Sequence, residues 1–324
     1  MTAISTPQRR AGLVVPPWFL RHTGVLAVLL LIGVFTATSS DVFLTGANLL
    51  NVSQQIAVVA VLAAGLTLLM TAGGIDFSLG AIAAVAHGVA AQLIVAGVAD
   101  WLAVLLTLAL GAAIGLVNGV MVTWFKVTPF VATLATSTAL GGAALLIIGG
   151  QSVSIGDHLE MIGFGEVLGA IPVSVVVAAA VCVAAALVMR WTAFGRNAFA
   201  IGGNESAARL SGIPVVRTKL LLYTLGGLLA ALGGVMLVAR LGAASPGAGG
   251  LHLELTVVAA VVIGGTALHG GSGTMVGTVL GVLLLGVVAN SLNLLQINPY
   301  YQDVALGAVL AVAAIANHLR GRRT

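Results

Sequence analysis

Runs of about twenty predominantly apolar residues, parted by short polar links, leave this chain one kind of structural solution. The runs are 22–42, 50–72, 78–98, 101–124, 129–149, 170–191, 217–239, 253–268, 275–296 and 300–319. In hydrocarbon every backbone N–H and C=O must find its partner within the segment, so a run of that length folds as a transmembrane helix. The expected fold is all-α: a polytopic transmembrane helical bundle of about ten spans. Composition excludes the soluble alternative. Only 7% of the residues are charged, against roughly 25% in an ordinary soluble domain. The net charge of +4 does not point to nucleic acid either. The basic residues are scattered among apolar runs, and three Tyr and four Trp supply no stacking surface.

The basic residues set the orientation instead. With both termini in the cytosol, Arg9, Arg10, Arg21, Lys126, Arg190, Arg196, Arg209, Arg217, Lys219, Arg320, Arg322 and Arg323 lie inside, and only Arg240 lies outside. That distribution obeys the positive-inside rule, and the inverted orientation does not. The chain then divides into a cytoplasmic tail (1–21), one transmembrane domain (22–319) with a cytoplasmic loop at 192–216, and a cytoplasmic tail (320–324). Arg9, Arg10 and Arg21 before the first run have the look of a signal peptide. The run reaches Phe43 without a clear cleavage site, so a retained anchor is expected. The outer loop 150–169, with Gln151, Asp157, His158 and Glu160, is a candidate docking rim.

Within the inner loop, Ile201 to Pro214 is a polar island. Asn204 suits an N-cap, Glu205 the first turn of a helix, and Gly212 a C′ stop, with Pro214 preventing continuation. The spacing predicts a helix of about two turns, too short to stand alone in water. A short capped helix facing the cytosol, ringed by Arg190, Arg196, Arg209, Arg217 and Lys219, is what a transport subunit needs if another protein is to push on it.

The chain also echoes itself. Gly73-Gly74 is followed by Gly80, and Gly270-Gly271 by Gly277, each at the inner end of a span running the same way. Two related halves with interrupted helices are expected. Interruptions are tolerated in a membrane where unwound backbone lines a cavity or is buried in protein, which marks a translocation pathway.

No phosphate-binding loop is present, because neither lysine, Lys126 or Lys219, follows a glycine. Any ATPase must be borrowed. No nucleophile elbow or zinc-protease motif occurs, and no Cys/His metal spacing accompanies the single cysteine, Cys182. No cofactor is expected in this chain, and no enzyme activity.

The polar residues inside the runs are few. Asp76 is read as the one acid close to a span interior, serving either to cap the next helix or to line the pathway. His87, some three turns along from it, is expected as neutral packing. Gly111, Gly115 and Gly119 form a small-residue stripe for close helix approach, with Asn118 expected to hydrogen-bond across it. Ser78, Asn118, Thr133, Asn290 and Asn293 join Asp76 as pathway candidates for a hydroxylated solute. Gln54, Gln55, Thr136 and Ser137 are nearby amides and hydroxyls, and interhelical hydrogen bonding explains the whole set almost as well.

Across about residues 45–318 the chain resembles the inner-membrane permease subunits of bacterial ABC importers for ribose and related monosaccharides. The resemblance is carried by Gly73-Gly74-Ile75-Asp76-Phe77-Ser78-Leu79-Gly80, by Gly115 to Gly119, and by Thr128-Pro129-Phe130-Val131-Ala132-Thr133-Leu134. It continues through Ala200 to Ile213, and through Val262-Ile263-Gly264-Gly265-Thr266 with Gly270-Gly271. It implies a second permease copy, commonly making a homodimer, an ATP-binding cassette ATPase that holds ATP and Mg, and an extracytoplasmic sugar-binding protein. It further implies that Gly203, Asn204, Glu205, Ala207, Ala208, Arg209, Leu210, Ser211 and Gly212 form the helix that couples to the ATPase. Relatives often carry Arg-Gly where this chain has Gly141-Gly142, so no role for that arginine carries over. A proton-coupled carrier working through Asp76, and the same importer with a nucleoside or other non-sugar cargo, are the rival readings.

Overall fold

The computed structural model describes residues 17–298 together with 301, 304, 307 and 308. Residues 1–16 of the expected N-terminal tail, most of the tenth expected span and the C-terminal tail lie outside the described residues. The first nine expected runs each carry a helix: α1 (Pro17–Ser39), α2 (Gly46–Thr71), α3 (Leu79–Val95), α4 (Asp100–Thr123), α5 (Pro129–Ile148), α7 (Val173–Trp191), α10 (Val215–Leu241), α11 (Gly250–Ile263) and α12 (Met275–Leu294). Between α7 and α10 lie α8 (Ala193–Gly203) and α9 (Glu205–Leu210). The loop after α5 holds a one-turn α6 (Glu160–Gly163) and the two-residue strands β1 (Val153–Ser154), β2 (Glu166–Val167) and β3 (Ile171–Pro172). β1 pairs antiparallel with β4 (Ala243–Ala244), and β2 with β3, so the fold is helical with two minimal sheets rather than purely α.

Among the described residues six helices are long and apolar enough to cross a bilayer: α2, α4, α5, α7, α10 and α12. α3 and α11 are shorter, with 17 and 14 residues. At 1.5 Å per residue they reach roughly 25 and 21 Å, less than the ~30 Å hydrocarbon core. α3 starts only after the break at Gly73-Gly74, and α11 ends ahead of Gly270-Gly271, after which helix resumes in α12. α1 begins at Pro17, five residues earlier than expected.

The centre of the bundle is α10, packed on α2, α3 and α4. Close approach explains why small residues dominate these contacts. A methyl added at Gly115 would overlap the Tyr223 carbonyl, and one at Gly227 the Gly111 carbonyl. The Gly111–Gly115–Gly119 stripe is therefore a seat for α10. The side chain of Leu79, the first residue of α3, faces Gly226 near the middle of α10, where an added methyl would come within 3.6 Å of it. So the chain leaves α2 at Thr71, turns, and climbs back into the bundle before helix resumes. The opposite end is held by side chains. The His87 Nε2 accepts the Ser245 N–H at 2.9 Å, and Asp100 pairs with His158 at 2.7 Å. His87 is thus a neutral ring that pins the segment after β4 onto α3.

Candidate functional site

Two sites emerge from this scaffold, one exposed and one buried. At the exposed site, Thr192 caps α8 by accepting the Gly195 N–H, and Asn204 Oδ1 caps α9 by accepting the Ala207 N–H at 2.9 Å. α9 ends in a Schellman motif: the Ile213 N–H donates to the Ala208 carbonyl at 3.0 Å and the Gly212 N–H to the Arg209 carbonyl at 3.1 Å. The motif needs a left-handed residue, and Gly212 sits at φ +79°. Asn204, Glu205 and Gly212 occupy the cap, first-turn and stop positions that the sequence predicts.

Glu205 ties α9 down. It accepts from Lys219 at 2.5 Å and from Arg209 at 3.1 Å. The Lys219 hydrogen bond in particular holds its carboxyl below the usual carboxylate range. Ala208 is buried underneath, whereas Leu210 is 91% exposed. Beside α9 runs a shallow cleft of about 450 Å³ lined by Trp124, Arg209, Ile213, Pro214, Arg217 and Leu220. α9 is thus a short capped helix with an unsheltered leucine, set beside a cleft that carries Arg209 and Arg217.

The route from α9 inward is a junction of three glycine pairs. Gly202, at the end of α8, has no room for a side chain: a methyl there would strike the Thr71 carbonyl and the Gly271 N–H. The Gly271 N–H donates to the Thr71 carbonyl at 3.0 Å. A methyl at Gly270 would meet Gly73 N at 2.6 Å and the Gly202 Cα at 2.8 Å. Gly73-Gly74, Gly202-Gly203 and Gly270-Gly271 therefore converge at one point. Backbone touches backbone there, so a displacement of α8–α9 reaches both interruptions without a compliant side chain between them.

The buried site begins where α3 resumes. Asp76, 0% exposed, accepts with Oδ1 from the Ser78 N–H at 2.8 Å and the Ser78 hydroxyl at 2.6 Å. It holds the chain in the turn that leads into α3, but it does not cap the helix as the sequence suggests: Ser78 is the cap residue, and no side chain accepts a first-turn N–H of α3. Asn118 does not bond across the α4–α10 contact as expected. Its Nδ2 donates to Ser78 Oγ at 2.8 Å and its Oδ1 accepts from Thr136 at 2.6 Å, which links α4 to α3 and α5. The glycine stripe leaves no space for an amide between α4 and α10, so the side chain turns to the neighbouring polar pair. Thr133 Oγ1 accepts the Phe77 N–H at 3.1 Å, and Tyr223 donates to the Ile75 carbonyl at 3.3 Å.

Asp76 is not the only acid in the interior. Glu254, in α11, is 1% exposed and accepts from Ser137 of α5 at 3.1 Å. The first turns of α3 and α11 abut, because a methyl at Gly80 would meet both Cβ and N of Glu254 at 2.8 Å. The signal was present in the sequence: Glu254 stands one residue inside the apolar run that begins at 253.

Asp76, Ser78, Asn118 and Thr133 are thus brought together. Asn290 and Asn293 are not. Asn290 exchanges amide hydrogen bonds with Asn48 at the start of α2 (2.8 and 3.1 Å), and Asn293 is exposed one turn on, near the far end of α12. Gln54 donates to the Gly163 carbonyl at 3.1 Å. Among the described residues no group of three or more His, Cys, Asp or Glu is placed to hold a metal.

Comparison with known proteins agrees with the architecture. Residues 48–314 match the family described as branched-chain amino acid transport system / permease component. The chain is 40% identical to the ribose import permease protein of Bacillus subtilis (strain 168) over 91% of its length and 92% of that protein's. It is 41% identical to the ribose import permease protein of Escherichia coli (strain K12) over 93% of its length and 94% of that protein's. It is also 40% identical to the L-arabinose transport system permease protein of Escherichia coli (strain K12), over 59% of its length and 58% of that protein's. No solved structure matches.

Proposed function

This chain belongs to the branched-chain amino acid transport system / permease component family, and we propose that it is the membrane-spanning permease of an ATP-driven importer for a monosaccharide such as ribose. It is a transport subunit and not an enzyme; ATP and Mg bind to a separate cassette ATPase. The observation that carries the mechanism is the glycine junction, where the exposed α9 reaches the two helix interruptions through backbone contact alone.

The α9 end faces the cytosol of a bacterial inner membrane, with both termini on that side, as the positive-inside distribution favours. The tenth apolar run completes ten spans, and the two interruptions mark two related halves. A sugar-loaded extracytoplasmic binding protein docks at the opposite end, on the loop between α5 and α7. ATP binding closes the ATPase pair against Asn204–Gly212. The push passes through Gly202-Gly203 to Gly73 and Gly270-Gly271, and re-aims α3 and α11. The sugar crosses between two permease copies.

The test is purification of the tagged chain from its native membrane in mild detergent, with stoichiometric partners identified by mass spectrometry. The expected result is a protein with nucleotide cassettes together with a second permease copy. A chain that comes out alone, and transports in liposomes without ATP, overturns the reading and makes Asp76-linked proton coupling the explanation.

A further inference from the structure

The buried site has more hydrogen-bonding capacity than the resting structure uses. Asp76 Oδ2 and Glu254 Oε1 are both buried, and among the described residues neither has a hydrogen-bond partner. An unpaired buried acceptor ordinarily costs about 1–3 kcal/mol, more when charged, so two in one cluster of a packed membrane protein call for an explanation. Both carboxyls are tied to the inner face of α5, Glu254 directly through Ser137 and Asp76 through Ser78, Asn118 and Thr136. Asp76 comes from the link that leads into α3 and Glu254 from the early part of α11, and the starts of these two helices abut at Gly80.

What closes the site is α5, a wall one helix thick. On its inner face Ser137 donates to Glu254 and Thr136 to Asn118. On its outer face Val131, Leu134, Thr138 and Leu145 are exposed. Withdrawal of α5 breaks those two hydrogen bonds, frees the second oxygen of Glu254, and opens the carboxyls towards the surface that α5 presents.

We propose that Asp76 and Glu254 form a binding site within the permease for the hydroxyl groups of the transported sugar, closed at rest by Ser137 and Thr136 of α5. The proposal rests on the sugar-import reading and names the residues that carry it. Carboxylate oxygens accept from neighbouring sugar hydroxyls, and the released Ser137, Thr136 and Asn118 groups complement them with donors. The same chemistry selects cargo. A neutral polyol offers hydroxyls that both carboxyl groups can pair with, whereas a substrate bearing its own carboxylate must be stripped of water in a low-dielectric site. Helix starts that meet inside the bundle, with polar groups at the break, are the arrangement in which other discontinuous membrane helices hold solutes.

The experiment uses the complete importer, permease with its ATPase and binding protein, in proteoliposomes at saturating loaded binding protein. ATP-driven uptake of D-ribose, its monodeoxy analogues and L-arabinose is compared for the wild type, Glu254→Gln and Asp76→Asn. In the wild type at least one monodeoxy sugar should move about tenfold slower than ribose, the worth of a hydrogen bond to a charged group. In Glu254→Gln or Asp76→Asn that difference should disappear, with ribose falling to the rate of the analogue. Variants that lower every sugar by one common factor, or lower none, overturn the site and leave the sugar-import reading intact. A wild type that moves no sugar overturns that reading and the site with it. Should the acid variants fail to assemble, Ser137→Cys in a Cys182→Ala background keeps both acids. A small thiol reagent should label it only during turnover, and sugar should slow the labelling. Labelling equal at rest and in turnover, or unaffected by sugar, rejects α5 as the cover.

Discussion

The α9 segment and the buried acid site are built from similar residues and governed by opposite rules. In α9 nearly every polar contact is local: Asn204 caps three residues ahead, Arg209 reaches back one turn to Glu205, and Gly212 closes the helix on Arg209. At the acid site Ser78 meets Asn118, Asn118 meets Thr136, and Ser137 meets Glu254, across 40, 18 and 117 residues of sequence. α9 is stiff in itself and, on the proposed reading, offered to a partner. The acid site is stiff only while α3, α4, α5 and α11 remain in place. A device in which one part pushes and another part opens needs that asymmetry, and the glycine junction between them is where it is tested hardest.

The largest effect is expected at the junction itself. Gly202→Ala drives a methyl into the Thr71 carbonyl and the Gly271 N–H, with no flexible side chain to yield. Sugar uptake should fall by at least ~100-fold, since backbone overlap of this kind costs several kcal/mol. Normal uptake would show that the two regions are not mechanically joined at this point. Gly212→Pro comes next. Proline is held near φ ≈ −65° and cannot take the +79° found here, and it has no N–H to give to Arg209. Uptake should be abolished while membrane insertion and protein level are unchanged; transport at the wild-type rate removes α9 from coupling.

A stability measurement sharpens the contrast at the acid site. Asp76→Ala strands the Ser78 N–H and leaves the Ser78 hydroxyl one partner short. It should cost about 2–3 kcal/mol of thermal stability in detergent, and Asp76→Asn about 1, because the amide oxygen still accepts. Equal losses would mean that the carboxylate shape contributes nothing. Asn204→Ala, by comparison, should cost about 1 kcal/mol, seen as faster amide exchange confined to Glu205–Ser211, with the acid site undisturbed.

The smallest effect is the pH response of α9. Lys219 and Arg209 hold the Glu205 carboxyl below its ordinary range. A depressed folded value stabilises at pH above the unfolded one, about 4.3, and the contribution is lost as pH falls through the folded value. Amide exchange in α9, taken relative to the intrinsic rate at each pH, should be flat from pH 7 to 5 and rise only below that range. The rise should be modest and salt-sensitive, since the Glu205 side chain is partly exposed. A transition near pH 6 would contradict the assignment.

How much was legible follows from the same contrast. Apolar length and glycine position announced nine helices, both interruptions and the caps of α9, because each is a short-range consequence of bilayer chemistry and backbone geometry. The seat of Gly111, Gly115 and Gly119 was also readable as a stripe, though not its partner α10. Asn118 was assigned the wrong neighbour, and Asn290 was grouped with Asp76 although it pairs with Asn48. An amide carries no mark of which distant acceptor it will meet. Glu254 was missed because one residue inside a run reads as a span end, while the short α11 places it in the interior. Sequence by itself determined that the chain is a multi-pass helical membrane protein, where helix breaks off at 72–78 and 264–274, and how α9 is capped. Only the tertiary structure decided that the three glycine pairs meet and that Asp76 and Glu254 share one site. Those contacts are made by packing between segments far apart in the chain, and local propensity has no hold on them.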